Sequence, residues 1–142
     1  MTTSNSSDHV QHRLPLRVRI SERPGRDALD GGWWPQSRDL AVELPDLINN
    51  FPDGHGRVVR AVYSPPDWDG HERRVPLPRP RGYVKVGSFP KDDTHVIDLL
   101  MTGSQRLRLL VVPAGADGGD AAVTAASTPG NTRSPADLLG IA

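Results

Sequence analysis

Three carboxylates lie in or beside the most unusual run of the chain, ALDGGWWPQSRDL at residues 28–40. If Asp30, Asp39 and Glu43 converge near the paired tryptophans, the apolar rings would raise the pKa of one carboxyl group and suit it to general acid catalysis. Each carboxylate also has a structural explanation. Asp30 suits a turn, and Asp39 and Glu43 suit the first turns of a helix, where the backbone dipole favours negative charge. A small hydrolase-type enzyme that uses these three residues is therefore the third of three candidate functions.

Other familiar catalytic and metal-binding chemistries lack their residues. The 142-residue chain has no cysteine, which excludes disulfides, thiolate metal sites and thiol catalysis. Its five histidines lie apart in loops and in the N-terminal tail, without the spacing of a zinc site, and we expect them to be exposed to solvent. No serine lies in a nucleophile-elbow pattern, and the pair Gly31-Gly32 is not followed by the lysine of a phosphate-binding loop. The sequence therefore predicts no metal and no cofactor.

The paired tryptophans suit a binding surface better than a catalytic centre, because tryptophan, tyrosine and arginine are enriched at the energetic centres of protein interfaces. Adjacent side chains of an extended backbone point in opposite directions, so one of Trp33 and Trp34 should anchor the core and the other should face outward. Trp33 is the expected core residue, whereas Trp34 suits either a structural plug or an exposed contact. The favoured function is a non-catalytic interaction or regulatory module that presents a Trp/Arg patch to a protein partner. The patch comprises Asp30, Trp33, Trp34, Arg38 and Trp68.

Arginines on two predicted strands support a different binding function. They alternate with apolar residues, so they should share the outer face of a sheet. An arginine-lined sheet with nearby aromatic rings is a common way to hold single-stranded nucleic acid. Against this, outward arginines also keep exposed strands soluble, and the 17 basic residues are balanced by 17 acidic ones. Single-stranded nucleic-acid binding is thus the alternative function, and its residues are Arg13, Arg17, Arg19, Arg106 and Arg108.

The apolar periodicity predicts an α+β fold, with short strands separated by turn residues. Since short connections favour antiparallel neighbours, we expect an antiparallel curved sheet of five to six strands, or a partly open barrel. One main helix should follow strand one, and a weak C-terminal helix should cover residues 120–127. Continuous apolar runs at residues 99–101 and 109–112 indicate a hairpin that is buried on both faces. The predicted strands are residues 14–21, 57–63, 73–77, 82–89, 95–102 and 105–112.

Turn and capping residues complete the predicted fold. Asp30-Gly31-Gly32 suggests a tight turn, and residues 64–70 suggest a hairpin-type connection. Ser37 is a plausible N-cap for the main helix, whose apolar stripe runs from Leu40 to Phe51 at helical spacing. Pro45 should either kink this helix or begin a second one.

The chain length fits one domain of ordinary size. Residues 1–12 are polar and should be a disordered tail, residues 13–127 should form the single α+β domain, and residues 128–142 should be a loose C-terminal tail. Leu138, Leu139 and Ile141 give that last segment some capacity to dock. No run approaches the roughly 20 apolar residues that span a bilayer, and the N-terminus lacks a signal peptide, so a cytoplasmic location is expected. The sequence leaves the oligomeric state open.

The central run also carries a family resemblance. Residues 29–40, followed by Glu43-Leu44-Pro45, resemble the hallmark of a family of small uncharacterised actinobacterial proteins that have a DGGWWP-type motif near the N-terminus. A strand pair and a late apolar run, like that at residues 107–113, belong to the same pattern. The resemblance covers residues 14–127. It implies a domain of unknown function, so no catalytic or binding residue is carried over from it.

Overall fold

Seven strands form one sheet in the computed structural model, which describes residues 13–70, 72–77, 82–89 and 94–140. The predicted N-terminal tail lies outside the described residues. The strands are β1 (Val18–Ile20), β2 (Gly31–Trp33), β3 (Val58–Tyr63), β4 (Arg74–Leu77), β5 (Gly82–Ser88), β6 (Val96–Met101) and β7 (Arg106–Val111). The helices are α1 (Leu40–Asn49), α2 (Gly119–Ser127) and α3 (Pro135–Leu139), and short 3-10 turns occupy Pro65–Asp67 and Thr102–Ser104.

The sheet is open and mixed, with strand order β1-β2-β7-β6-β3-β5-β4. Two neighbouring pairs, β2 with β7 and β3 with β5, run parallel, and the other neighbours run antiparallel. The α+β class is therefore confirmed. The predicted antiparallel sheet of five to six strands is partly correct: four of the six neighbouring pairs are antiparallel, and there is one strand more than predicted. The sheet is open, so the alternative of a partly open barrel is wrong.

The double glycine explains one strand that the sequence pattern does not predict. Instead of forming the predicted tight turn, Gly31 and Gly32 lie inside β2 and pair with β1 on one side and β7 on the other. A Cβ atom on Gly31 would lie 2.1 Å from the carbonyl oxygen of Arg19, and one on Gly32 would lie 2.9 Å from the Cα atom of Val123 in α2. The glycines therefore allow β1 and α2 to approach β2 closely, which a side chain at either position would prevent.

The segment after β3 does not form the predicted hairpin. Residues 64–70 do not join two antiparallel neighbours, because β5 lies between β3 and β4 and runs parallel to β3. The hairpin is instead made by β4 and β5. The 3-10 turn at Pro65–Asp67 interrupts the extended backbone directly after β3, so β3 and β4 do not continue as paired arms of one turn.

The N-cap of helix α1 lies two residues after the predicted one. The N-cap is Asp39, whose carboxylate accepts a hydrogen bond from the backbone N–H of Ala41. Ser37 does not cap the helix, because its Oγ donates to Glu43 at 2.6 Å. Pro45 lies inside a single helix that runs on to Asn49, so the prediction of a second helix beginning at Pro45 is wrong.

Helices cover both faces of the sheet, but not equally. On one face, α1 packs against a core that includes Trp33, Leu99 and Leu109. On the other, α2 packs over β1, β2 and β7, and its cluster includes Leu110 and Val112. Successive residues of the late apolar run thus face opposite layers, which confirms its predicted burial on both faces.

The segment predicted as a loose C-terminal tail contains α3. Ser134 caps this short helix by accepting from the N–H of Asp137, and Leu138 and Leu139 pack against the cluster beneath α2. This is the docking that the sequence allows for at these two residues, and Ile141 lies outside the described residues. No helix among the described residues is long and apolar enough to cross a membrane.

Candidate functional site

Two residues of the predicted Trp/Arg patch belong to the core. The side chains of Trp33 and Trp68 are only 1% and 4% exposed, and both lie in the cluster under α1. Their ring centroids are 5.5 Å apart with a tilt of 36° between the planes. Neither ring reaches a surface where a partner could touch it, so the patch as predicted does not exist as one exposed surface.

Trp34 points to the opposite face from Trp33, as predicted, and packs beside the α2 cluster. It is half-buried, and its Nε1 donates to the carbonyl oxygen of Pro113 at 3.0 Å. The guanidinium of Arg17 lies 3.8 Å above the ring and also donates to the carbonyl oxygens of Trp34 and Pro35. Burial lowers the pKa of Arg17 below its usual value. These contacts favour the structural-plug interpretation of Trp34. They also occupy the guanidinium of Arg17, which packs on the ring.

The packing of Trp34 predicts opposite outcomes for two glycine substitutions. A Cβ atom on Gly119 would lie 2.4 Å from the Trp34 ring, so Gly119→Ala must displace the ring and should destabilise the fold by about 1–3 kcal/mol. A Cβ atom on Gly115 would have no atom within 4 Å, and the φ of Gly115 is not positive. Gly115→Ala should therefore leave stability unchanged or raise it by about 0.4–1 kcal/mol. Urea unfolding followed by tryptophan fluorescence measures both, and equal stability of the two variants would contradict the packing.

The two patch residues that are not tryptophans, Asp30 and Arg38, have their hydrogen-bond partners elsewhere. Asp30 is buried, and its carboxylate accepts from the backbone N–H groups of Gly25 at 2.6 Å and Arg108 at 2.8 Å. Arg38 is exposed and donates to Asp69 at 2.8 Å and to the carbonyl oxygen of Pro66 at 3.0 Å. Asp30 therefore joins a loop to β7, and Arg38 remains the one exposed residue of the predicted patch.

The three candidate catalytic carboxylates do not converge on a common partner. Asp30 binds backbone N–H groups beside β7, Asp39 caps α1, and Glu43 accepts from Gln36, Ser37 and Arg13. Their side chains share no hydrogen-bond partner among the residues that the structure describes. Each of these carboxylates has a structural role, and no described hydrogen bond joins their side chains into one hydrolase-type arrangement.

The five predicted nucleic-acid arginines fall into separate groups. Arg13 pairs with Glu43 and Asp46 beside α1, and Arg17 is held on Trp34. Arg19 is exposed on the edge strand β1. Arg106 and Arg108 lie on β7 and both contact Asp98, with Arg108 donating from two nitrogens at 2.8 and 3.1 Å. Arg106 and Arg108 border the half of the sheet from β6 to β4, which no described helix covers on the face that carries α2; we call it the uncovered half.

That uncovered half carries a row of cations that sequence reasoning misses. The register places Leu100 opposite both Arg106 and Arg60, Arg60 opposite Lys85, and Lys85 opposite Arg74. Paired residues on adjacent strands project to the same face, so one row of side chains crosses five strands. Arg60, Arg74, Lys85 and Arg106 are all exposed in this row.

We call this surface the basic face. Tyr83 is 50% exposed beside the row, and the guanidinium of Arg74 lies 4.6 Å from its ring centre. A groove of about 220 Å³ runs between these side chains. Among the described residues, no carboxylate lies within ion-pair distance of Arg60, Arg73 or Lys85. The basic face comprises Arg60, Arg73, Arg74, Tyr83, Lys85 and Arg106.

A weak signal for the basic face is present in the sequence. Three predicted strands, RVVRAVY, RRVPL and GYVKV, each carry a cation at an outward position. Nothing local shows that the strands are neighbours, because β5 enters between β3 and β4 only in the folded sheet.

No group of three or more His, Asp or Glu side chains among the described residues is placed to hold a metal ion. His9, His12 and His71 lie outside those residues. His55 and His95 lie in loops, as expected, but both are half-buried and so less exposed than expected.

Comparison with other proteins identifies the family but brings no activity with it. No curated protein and no solved structure matches the chain. A family model matches residues 15–128, which is most of the chain, and the chain therefore belongs to the family of unknown function DUF5994.

Proposed function

We propose that this protein is a non-catalytic binding module whose ligand is single-stranded nucleic acid, bound along the basic face. The observation that supports this most is the row of four exposed cations across one open sheet face. At the usual strand spacing the row is roughly 19 Å long. It is therefore an extended surface rather than a point site, and an extended polyanion matches it.

The chain has no net charge, but its cations are gathered on one face, and this supports a polyanion as the ligand. Acidic and basic residues are equal in number, at 17 each. On the basic face, however, the carboxylate within reach is Asp98, and Arg108 already holds both of its oxygens. Arg60 and Lys85 are left without a charged partner among the described residues. Neutralising such cations with phosphates releases counterions from the nucleic acid, which supplies most of the affinity in this kind of complex.

The side chains between the cations favour a single strand over a duplex. Tyr83 offers a half-exposed ring, and Leu100 and Val62 are partly exposed on the same face. Unpaired bases stack on such rings and apolar side chains, whereas the bases of a duplex are stacked on one another. The Trp/Arg patch for a protein partner has less support, since Trp33 and Trp68 are buried.

The proposal is tested with a short fluorescent oligothymidine, followed by anisotropy between about 50 and 200 mM salt. Wild type should bind with a strong salt dependence. Arg60→Gln/Lys85→Gln should weaken binding at least about tenfold and reduce the slope of log K against log salt by about 1.4, because two phosphate contacts are lost. The matched control is Arg19→Gln/Arg26→Gln, which removes the same charge from exposed positions outside the basic face and should bind within about threefold of wild type.

Two results would overturn the proposal. Equal affinity and equal slope for the basic-face variant and wild type would exclude this surface. Absence of salt-dependent binding to oligothymidine would exclude the ligand. A polyglutamate peptide serves as the competing polyanion, and preferential binding of that peptide would indicate an acidic protein partner instead.

We propose a cytoplasmic location, an actinobacterial distribution of the family and the DGGWWP-type motif as its signature. The role of Gly31 and Gly32 in close packing supports selection for that motif. Fractionation of the native host tests the location.

A further inference from the structure

A second site candidate shares no residue with the basic face. A cleft of about 140 Å³ opens beside the start of α1. The residues that line it are Pro35, Ser37, Arg38, Pro66, Asp67, His95 and residues 111–115. The cleft therefore joins the end of the ALDGGWWPQSRDL run to a histidine and an aspartate that are distant in sequence.

His95 is held in an unusual backbone conformation by a single carboxylate. Its φ is 65°, in the left-handed region that histidine visits more readily than most residues. Its backbone N–H donates to Oδ2 of Asp67 at 2.8 Å, and its Nδ1 lies 3.1 Å from Oδ1 of the same carboxylate. The Nδ1 contact is short enough for an ion pair but is not aligned as a hydrogen bond. Constrained backbone of this kind is often found at ligand sites.

The carboxylate determines which nitrogen of His95 can serve a ligand. Negative charge beside Nδ1 favours a proton on that atom in the neutral ring, so the lone pair remains on Nε2. The side chain is 23% exposed, and Nε2 has no hydrogen-bond partner among the described residues. In this tautomer His95, which lines the cleft, has a hydrogen-bond acceptor at Nε2.

The guanidinium of Arg38 also lines the cleft, and its ion-pair partner Asp69 is not among the lining residues. Arg38 uses Nε for Asp69 and Nη2 for Pro66, which fixes the plane of the group. Its Nη1 has no acceptor among the described residues. Asp67 is the one carboxylate among the lining residues, and both of its oxygens face His95.

We propose that this cleft binds a small oxyanion that also carries a hydroxyl group, as hydroxy carboxylates and hydrogen phosphate do. Arg38 holds the oxyanion, and Nε2 of His95 accepts the hydrogen bond of the hydroxyl group. The volume is close to the roughly 150 Å³ of a cavity that holds benzene, so the ligand is of about that size. A pair of groups that recognises charge and hydroxyl together should reject ions that lack the hydroxyl, because Nε2 would then be desolvated without a donor.

The probes are two matched pairs: glycolate with acetate, and hydrogen phosphate with sulfate. Each is titrated at neutral pH while the imidazole nitrogens are followed by long-range ¹H–¹⁵N NMR, with His55 as the internal reference. Glycolate and hydrogen phosphate should shift Nε2 of His95 saturably and bind at least about tenfold more tightly than acetate and sulfate. Equal binding within each pair, or no saturable shift at His95 with any probe, would overturn the proposal.

Two variants assign the roles. His95→Asn keeps a residue that tolerates positive φ but removes Nε2, so it should abolish the preference for glycolate over acetate while the circular dichroism spectrum is retained. Arg38→Gln should weaken both carboxylates by a similar factor. A folded His95→Asn protein that still prefers glycolate would contradict the assignment of Nε2. If His95→Asn does not fold, the comparison of the four probes on the wild-type protein decides whether the proposal holds.

Discussion

Replacing Trp33 with alanine is expected to remove most of the stability of the fold. Trp33 lies on the three-residue strand β2, is 1% exposed and packs against Trp68 in the core under α1. Truncation of a buried tryptophan costs about 3–5 kcal/mol, because apolar area is lost and a cavity remains. Domains of this size have a free energy of unfolding of about 5–15 kcal/mol. Urea unfolding of Trp33→Ala should therefore show a midpoint far below that of wild type, or no folded baseline.

Two aromatic comparisons make this prediction specific. Tyr83→Ala removes a half-exposed ring and should change stability by no more than about 0.5 kcal/mol. Trp34→Ala should give a loss between these extremes, because the ring is half-buried and loses a hydrogen bond to Pro113 and its contact with Arg17. Similar midpoints for Trp33→Ala and Tyr83→Ala would show that Trp33 is not a core residue.

Local patterning is enough to predict most of the elements. The period-two and period-3.6 runs give six of the strands and two of the helices within a few residues, because each run reports which of its own side chains are buried. The alternation of Trp33 and Trp34 between two faces follows from the same rule. Membership of an uncharacterised domain family, inferred from residues 29–45, is also confirmed.

Pairing between distant strands is not predictable in the same way. The β2 strand has two glycines and one tryptophan, so it lacks the β-branched residues that normally mark a strand. Its parallel partner β7 lies far along the chain, and a β5 strand between β3 and β4 creates the second parallel pair. The basic face depends on these pairings, since Arg60, Lys85 and Arg74 become neighbours only through them.

The cleft is hidden from sequence reasoning for a related reason. Asp67 and His95 are 28 residues apart, and neither belongs to a sequence motif that includes the other. Nothing local distinguishes His95 from an exposed loop histidine, because its position before a strand has no signature of burial. The left-handed backbone at His95 is stabilised by the carboxylate that it meets in the fold. The sequence therefore contains the residues of both sites, but their spacing along the chain does not show that they lie close together in the fold.

The second large effect is expected at Glu43, which is buried at 1% exposure on α1. Its carboxylate accepts hydrogen bonds from the backbone N–H of Gln36 at 3.0 Å and from Ser37 at 2.6 Å, and it pairs with Arg13. Arg13→Ala would leave this charge buried without its cation, which costs up to about 3–5 kcal/mol in comparable pairs. The exposure of Arg13 itself is 17%, so water can partly replace it and the loss should lie near the lower end of that range.

A double variant separates the loss of a charge partner from the loss of the Arg13 side chain. In Arg13→Ala/Glu43→Gln the neutral amide keeps the shape of the side chain and an acceptor for Gln36, but no uncompensated charge remains. This double variant should therefore be more stable than Arg13→Ala alone, although it carries one more substitution. Urea midpoints of the two single variants and the double variant complete the cycle. If the two losses simply add, Glu43 and Arg13 do not act as a pair. Coupling would instead show that Arg13 and Glu43 act as a pair, which ties the segment before β1 to α1.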